Sequence, residues 1–347
     1  MGISALALQP QPSGAIERWS FKFEPARDLS VPGESSSAGR LGSTPVSAPL
    51  WGPSPAITLF RPQSGREQAF DRLSRVTMDL QLVILDTETA TLHGSPQLLE
   101  LGAVRAVGGE IVDRFEALVR PEVPIDPATT EIHGITESMI RDAEPAAIVM
   151  ERFCAWVGED ALVAHNADFD GRVLAFECTR ARIAPPPGWL IDTLRLSRRL
   201  IPESPDHKLA TLCEHLELEE GVHHRALADA VWCWKILEAC IDRMATPATT
   251  VAQLVEAAGS ATTISDCRPR LRAAIKQRHR PLERACLERE EVILTYGDGA
   301  RAPVRLSVLP RVLYDQGERS YLEAECLSSG MIKTYRLDRV HKVRLSS

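Results

Sequence analysis

Apolar residues gather into a sustained pattern only from Leu80 onward. LQLVIL (80–85) is an apolar run of strand length, with Gln81 its one polar residue, and LLELGAVRAV (98–107) and DRFEALVR (113–120) follow it with Gly-Gly and other turn residues between them. Three consecutive strands of this kind predict an antiparallel meander. Helical and strand periods then alternate. AAIVMERFCAWV (146–157) is helical, ALVAH (161–165) a strand, GRVLAFECTRA (171–181) helical and WLIDT (189–193) a strand. KLATLCEHL (208–216) and the long HRALADAVWCWKILEACIDRM (224–244) close the series as helices. That order predicts a mixed α/β sheet covered by helices.

The pattern changes class twice more. ATPATT (245–250) marks a boundary, and VAQLVEAA (251–258) and LRAAIKQ (271–277) predict a helical connector over 246–281. Beyond it LERACLE (282–288) predicts a short helix. EEVILTY, VRLSVLPRVLY, SYLEAECL and IKTYRLDRVHKVRL, separated by Gly-containing turns, predict a small β barrel over 282–347. Residues 1–77 are rich in Pro, Ser, Gly and Ala without a hydrophobic period, and are expected to be a disordered leader. Met78 stands directly before the first strand, which makes it an alternative start of translation.

Length and composition narrow the class. A chain of 347 residues with 44% hydrophobic content has room for two domains. The net charge of −7 is uneven: from Ser265 onward there are 17 Lys and Arg against 11 Asp and Glu, a surplus of six, and the remainder carries −13. The basic tail suits phosphate, and an acidic body is compatible with a metal site. The eight cysteines form no CxxC pair and read as reduced core residues. With no long apolar run and no secretory signal, the expectation is a cytoplasmic protein without a membrane partner.

Three short segments carry candidate chemistry. Asp86 and Glu88 end the first strand, and its period of two turns both carboxylates to one face, where they invite a divalent cation. Alone, DTET also reads as a turn with solvated acids. In VAHNADFDGRVL (163–174) a strand runs through His165 and Asn166 into a helix, with Asp168 as an N-cap and Asp170 in the first turn, where a carboxylate also suits the helix dipole. In HHRALADA (223–230), His224 and Asp229 are five residues apart, about 140° around one helix, so they share no helical face. They reach one site if His224 stands on the loop ahead of the helix, as a general base would, and Asp229 on its early turns. His223 reads as a surface or capping histidine.

Taken together, D-x-E, HNAxFD and HRALxDA in this order on one mixed α/β domain resemble the DEDDh 3′–5′ exonucleases, the group of the polymerase III proofreading subunit, oligoribonuclease and RNase T. The resemblance covers Asp79 to about Met244, and EIHGIT (131–136), IDTLRLSRRL and HKLATLCEHL fit it too. Where many polymerase-associated members read DTETTG this chain has DTETAT, with Ala90 and Thr91, so the pocket for the terminal nucleotide differs. The resemblance implies an RNase H-like fold over 78–245. It also implies four acids (Asp86, Glu88, Asp170, Asp229) holding two divalent cations, Mg²⁺ or Mn²⁺, with His224 as general base. Asp86 would bridge the cations, Glu88 and Asp229 would join it on one, and Asp170 would lie nearer the other. Thr89, His133 and Asn166 are the implied nucleic-acid contacts of this domain.

The tail resembles the WYL domain, a small Sm-like β barrel, through EVILTY, SYLEAE and KTYRLDRV, with Ser320 at the place of the family's Trp. That resemblance implies a nucleic-acid or nucleotide-ligand surface at Tyr321, Arg336 and Arg339. Tyr321 as a core residue and the arginines as solvated strand positions are the alternative. The function expected is hydrolysis of single-stranded DNA or RNA from the 3′ end, with DNA preferred and repair as its setting. A nucleic-acid-binding regulator built on a nuclease scaffold is the alternative. A polymerase partner has no support from the connector, which contains no convincing clamp-binding peptide.

Overall fold

The computed structural model describes residues 80–218, 225–297 and 302–346. The expected leader falls outside the described residues, as do His223 and His224. The first sheet is built on β1 (Gln81–Thr89), which pairs antiparallel with β2 (Leu98–Val107), itself antiparallel to β3 (Glu110–Arg120). This is the meander that the sequence predicts. After helix α1 (Pro127–His133), the two-residue β4 (Glu144–Pro145) adds parallel to β3 at the edge.

On its other side β1 runs parallel to β5 (Ala161–Ala164), which follows α2 (Ala146–Val157). Helix α3 (Ala167–Ala181) crosses over to the parallel β6 (Trp189–Asp192). Helices α4 (Thr193–Leu200), α5 (Leu209–His215), α6 (Ala226–Asp242) and α7 (Val251–Ala258) follow, and β7 (Thr262–Thr263) closes the sheet antiparallel to β6. The strand order is β4-β3-β2-β1-β5-β6-β7.

From Leu82 to Leu85 β1 is apolar because both of its faces are covered. Leu82 and Ile84 join a core with Trp234, Ile236 and Leu237 of α6 and Leu254 of α7. Val83 and Leu85 join a second core with Phe153 of α2 and Val173 and Leu174 of α3. The strand is therefore sandwiched between α6 on one side and α2 with α3 on the other, and its last residues emerge between those helices.

The C-terminal strands are β8 (Val292–Tyr296), β9 (Val304–Gln316), β10 (Arg319–Cys326), β11 (Met331–Arg336) and β12 (Val340–Leu345), preceded by α8 (Pro281–Glu288). They pair antiparallel in the order β11-β10-β9-β8-β12. The expected closed barrel is corrected to an open sheet: among the described residues β11 and β12 remain its two edges. A 3-10 turn over Leu337–Arg339 breaks the IKTYRLDRVHKVRL run and sends β12 to β8 rather than beside β11. The long β9 serves both halves, pairing with β8 through Val304–Val308 and with β10 through Val308–Gln316.

LRAAIKQ is not helical, contrary to its sequence pattern. Leu271 and Ile275 pack against the C-terminal core, and the flanking backbone is taken by β9, with Asp315 N donating to Arg270 O (3.2 Å) and Arg272 N to Asp315 Oδ2 (2.7 Å). Tertiary contacts outweigh the modest helix propensity of a seven-residue segment. The two sheets lie within one compact unit. Clefts of about 440 and 250 Å³ flank their junction, each lined in part by Arg180, Arg289 and Arg311. All eight cysteines are free thiols, and among the described residues no helix is long and apolar enough to cross a membrane.

Candidate metal centre

The alternation along β1 assigns its last residues to different neighbours. Asp86 and Glu88 continue the Leu82–Ile84 face toward α6, and Thr87 continues the Val83–Leu85 face toward α3. In the first turn of α6, Asp229 is 7% exposed, and its carboxylate meets those of Asp86 and Glu88, with one oxygen from each lying within 4.8 Å of the others. From the opposite face Asp170, 2% exposed, accepts a hydrogen bond from Thr87 Oγ1 at 2.7 Å. One strand end thus collects acids from three elements: two of its own, one from α6 and one from α3.

Their titration reflects this crowding. Burial, followed by the charges of Asp170, Asp229 and Glu88, pushes the Asp86 carboxyl well above its ordinary value. Burial and then Asp229 and Glu100 push Glu88 up to about 8, with Arg225 pulling against them. Burial pushes Asp170 up to about 7, although the hydrogen bond from Thr87 favours its charged form. These groups would ionise together only with a counter-charge present. A hard divalent cation fits the need, because every donor is a carboxylate oxygen.

Two residues that sequence reasoning passed over hold this arrangement. Glu100 on β2 lies directly opposite Glu88 and is fully buried. Its carboxylate accepts from Arg225 Nη2 at 2.6 Å and Nε at 2.9 Å and from Ala226 N at 3.0 Å, which caps the start of α6. Next along that face, Gly102 leaves no room for a side chain: a Cβ there would stand 2.1 Å from Leu227 N. β2 therefore seats the first turn of α6, and with it Asp229, beside Glu88. The signal in the sequence is a lone charge inside the buried run LLELGAV, which demands a cationic partner.

The remaining expected residues are spread more widely. Thr89 is nearly buried and donates to Thr91 O (3.2 Å). His133 ends α1, is 5% exposed, and accepts from Ile135 N through Nδ1 (3.0 Å). α1 rests on the end of β1, with Asp126 N donating to Ala90 O at 2.8 Å. Asn166, and not Asp168, occupies the N-cap of α3, with φ of 63°, and its backbone N–H donates to Asp192 Oδ1 at 3.0 Å. The tail residues are far from the acids in sequence and have neighbours of their own. Tyr321 stacks on Tyr314 with ring centroids 5.5 Å apart, and Arg336, opposite it on β11, is paired with Asp338 at 2.5 Å. Arg339 lies in the 3-10 turn, its carbonyl accepting from Gly297 N at 3.1 Å.

Comparison with known proteins matches two stretches of the chain. The family model described as Exonuclease matches residues 83–237, and the WYL domain model matches residues 271–345. The chain is 38% identical over 180 residues to the PolC-type DNA polymerase III of Oceanobacillus iheyensis, covering 50% of this chain and 13% of that one. It is also 38% identical over 163 residues to the PolC-type DNA polymerase III of Bacillus subtilis, covering 46% and 11%. The chain thus spans about a tenth of the length of these relatives. Among solved structures, exonuclease X in complex with 5′ overhanging duplex DNA is 32% identical, with 51% of this chain and 99% of that one covered and a TM-score of 0.42. Through residues 83–237 the chain belongs to the exonuclease family, and it carries a WYL domain at residues 271–345.

Proposed function

We propose that this protein removes nucleotides from the 3′ end of single-stranded nucleic acid, with DNA as the preferred substrate. The observation that carries this reading is the meeting of Asp86, Glu88 and Asp229 within 4.8 Å at the strand end that Asp170 reaches from the other face. Asp86, Glu88, Asp170 and Asp229 would hold two Mg²⁺ or Mn²⁺ ions, which when bound supply an activated water and charge for the leaving 3′ oxygen. The chain's own part is to hold four carboxylates converging on one place and to bind the terminal nucleotide through the strand end at Thr89, the α1 end at His133 and the loop at Asn166. His224, one residue before the Glu100-bound Arg225, takes the proton of the attacking water as a neutral imidazole. The preference for DNA follows from the relatives, which are DNA polymerases by name.

The tail contributes Tyr321, Arg336 and Arg339 as a secondary surface for phosphate or for a nucleotide ligand. The reading is tested with a single-stranded oligonucleotide labelled at its 5′ end, in DNA and RNA versions. Wild-type protein with Mg²⁺ or Mn²⁺ produces a ladder shortening from the 3′ end, faster on DNA. His224→Ala and Asp229→Ala each lower the rate by at least about a thousandfold. Equal hydrolysis by wild type and Asp229→Ala rejects the assignment. Binding of the oligonucleotide without hydrolysis by wild type supports the regulator reading instead.

A further inference from the structure

The C-terminal sheet meets the exonuclease domain through charged groups withdrawn from water. Glu323 on β10 is 0% exposed. Its carboxylate accepts from Arg180 Nε at 2.9 Å and Nη2 at 2.7 Å, from Ser95 Oγ, and from Gln97 Nε2 at 3.4 Å. Arg180 in turn donates through Nη1 to Glu177 Oε1 at 2.7 Å, and that same oxygen accepts from Leu98 N at 3.0 Å. An unbroken hydrogen-bonded path therefore runs from β10 to the first residue of β2, the strand on which Glu100 faces Glu88. Beside it Phe176 of α3 meets Tyr314 edge-on at 5.1 Å.

At the far end of this contact two helices finish against each other. Arg182 is the C-cap of α3 with φ of 59°, and it donates to the carbonyls of Cys286 and Leu287 (3.1 and 2.6 Å) in the last turn of α8. Arg289 is the C-cap of α8 with φ of 54°, and it donates to Arg180 O at 3.2 Å in the last turn of α3. Both residues hold a left-handed backbone that glycine would adopt more easily, and both use their side chains to satisfy the other helix's terminal carbonyls. A loosely tethered module has no need of reciprocal caps or of a fully paired buried carboxylate.

The groups held by Glu323 lie on the two segments that carry the acids' neighbours. Ser95 and Gln97 lie in the segment that leads from Glu88 to Glu100. Arg180 and Glu177 belong to α3, which carries Asp170 two turns before Glu177. We propose that Glu323 is a positioning residue for the metal centre: the docked C-terminal sheet fixes the 91–97 loop and α3, and so fixes how Asp170 meets the β1 acids. The inference rests on the reading of those acids as a metal site and goes beyond it, because it makes the WYL domain a structural part of the nuclease.

The test uses the full chain with Glu323→Gln, which keeps the shape and removes the charge, and with Lys333→Ala on exposed β11 as control. Amide hydrogen exchange over 93–98 and 170–180 and Mn²⁺ binding by calorimetry are the readouts, and circular dichroism checks the fold. The expected result for Glu323→Gln is at least tenfold faster exchange in both segments and at least tenfold weaker Mn²⁺ binding, with secondary structure and the control unchanged. Exchange and affinity within twofold of wild type overturn the proposal. If Glu323→Gln does not fold, Ser95→Ala removes one donor and leaves the ion pair; it should accelerate exchange at 93–98 and weaken Mn²⁺ binding about threefold, and wild-type values overturn the proposal. Neither readout needs turnover. A wild type that binds Mn²⁺ and responds to Glu323→Gln but hydrolyses nothing would sink the exonuclease reading while leaving this coupling intact.

Discussion

Asp86, Glu88 and Asp170 are acids that resist ionising where they stand, and that resistance makes two opposite demands on the chain. Without a cation each removed carboxylate relieves repulsion. Asp86→Asn should therefore raise the metal-free stability by roughly 1 kcal/mol, about 2 to 4 °C in melting temperature, while abolishing turnover. Calorimetric melts in chelator check the first half, and an oligonucleotide assay the second. The pH dependence follows the same logic. Glu88 and Asp170 titrate near 8 and 7 in the folded chain against ordinary values of 4.5 and 3.8, so the folded state binds their protons more tightly than the unfolded state does. The stability they contribute is complete below about pH 4 and is lost as pH rises through 7 to 8. Metal-free protein should melt lower at pH 8.5 than at pH 6. Saturating Mn²⁺, which binds the ionised form, should cancel the difference and bind more tightly as pH rises across that window. A melting temperature that climbs with pH in chelator would contradict this.

At the scale of the element, β1 decides the site, and it was also the most legible part of the chain. Its apolar run from Leu82 to Leu85 announced a strand buried on both faces, and its period of two announced that Asp86 and Glu88 share a side; the structure adds that this side is the one α6 covers. The helix starts at Asp170 and Asp229 were equally readable, since both acids fall in a first turn. What the pattern could not reveal was pairing between distant segments. Glu100 reads as one charge in an apolar strand until Arg225 and the α6 N-terminus are brought to it, and Gly102 reads as permissive until the helix backbone is found against it. LRAAIKQ failed for the same reason, because its backbone partners lie on β9, about 40 residues further on. The sheet edges at β11 and β12 were likewise invisible, since strands alone do not say whether a sheet closes. Gly102→Ala should cost about 3 kcal/mol by urea denaturation and displace Asp229 enough to weaken Mn²⁺ binding. A neutral effect would mean that α6 is not seated as described.

For the whole molecule, the two matched domains share charges and helix ends across their junction. In the tail Tyr321 stacks on Tyr314, and Glu323 accepts from Arg180. Glu323→Ala leaves Arg180 buried beside Glu177 alone, and should destabilise the chain by about 3 to 5 kcal/mol, measured by urea denaturation. β7 and Ile264 belong to the first sheet and its core, so a truncation intended to spare the nuclease must begin after them. Whether four acids around one strand end act as a metal-dependent 3′ exonuclease is decided by a 5′-labelled single-stranded DNA resolved on a denaturing gel. Wild type with Mg²⁺ should yield a ladder that shortens one nucleotide at a time from the 3′ end, and chelator or Asp229→Asn should leave the strand whole. Intact wild-type reactions, or a ladder that Asp229→Asn also produces, would contradict the account.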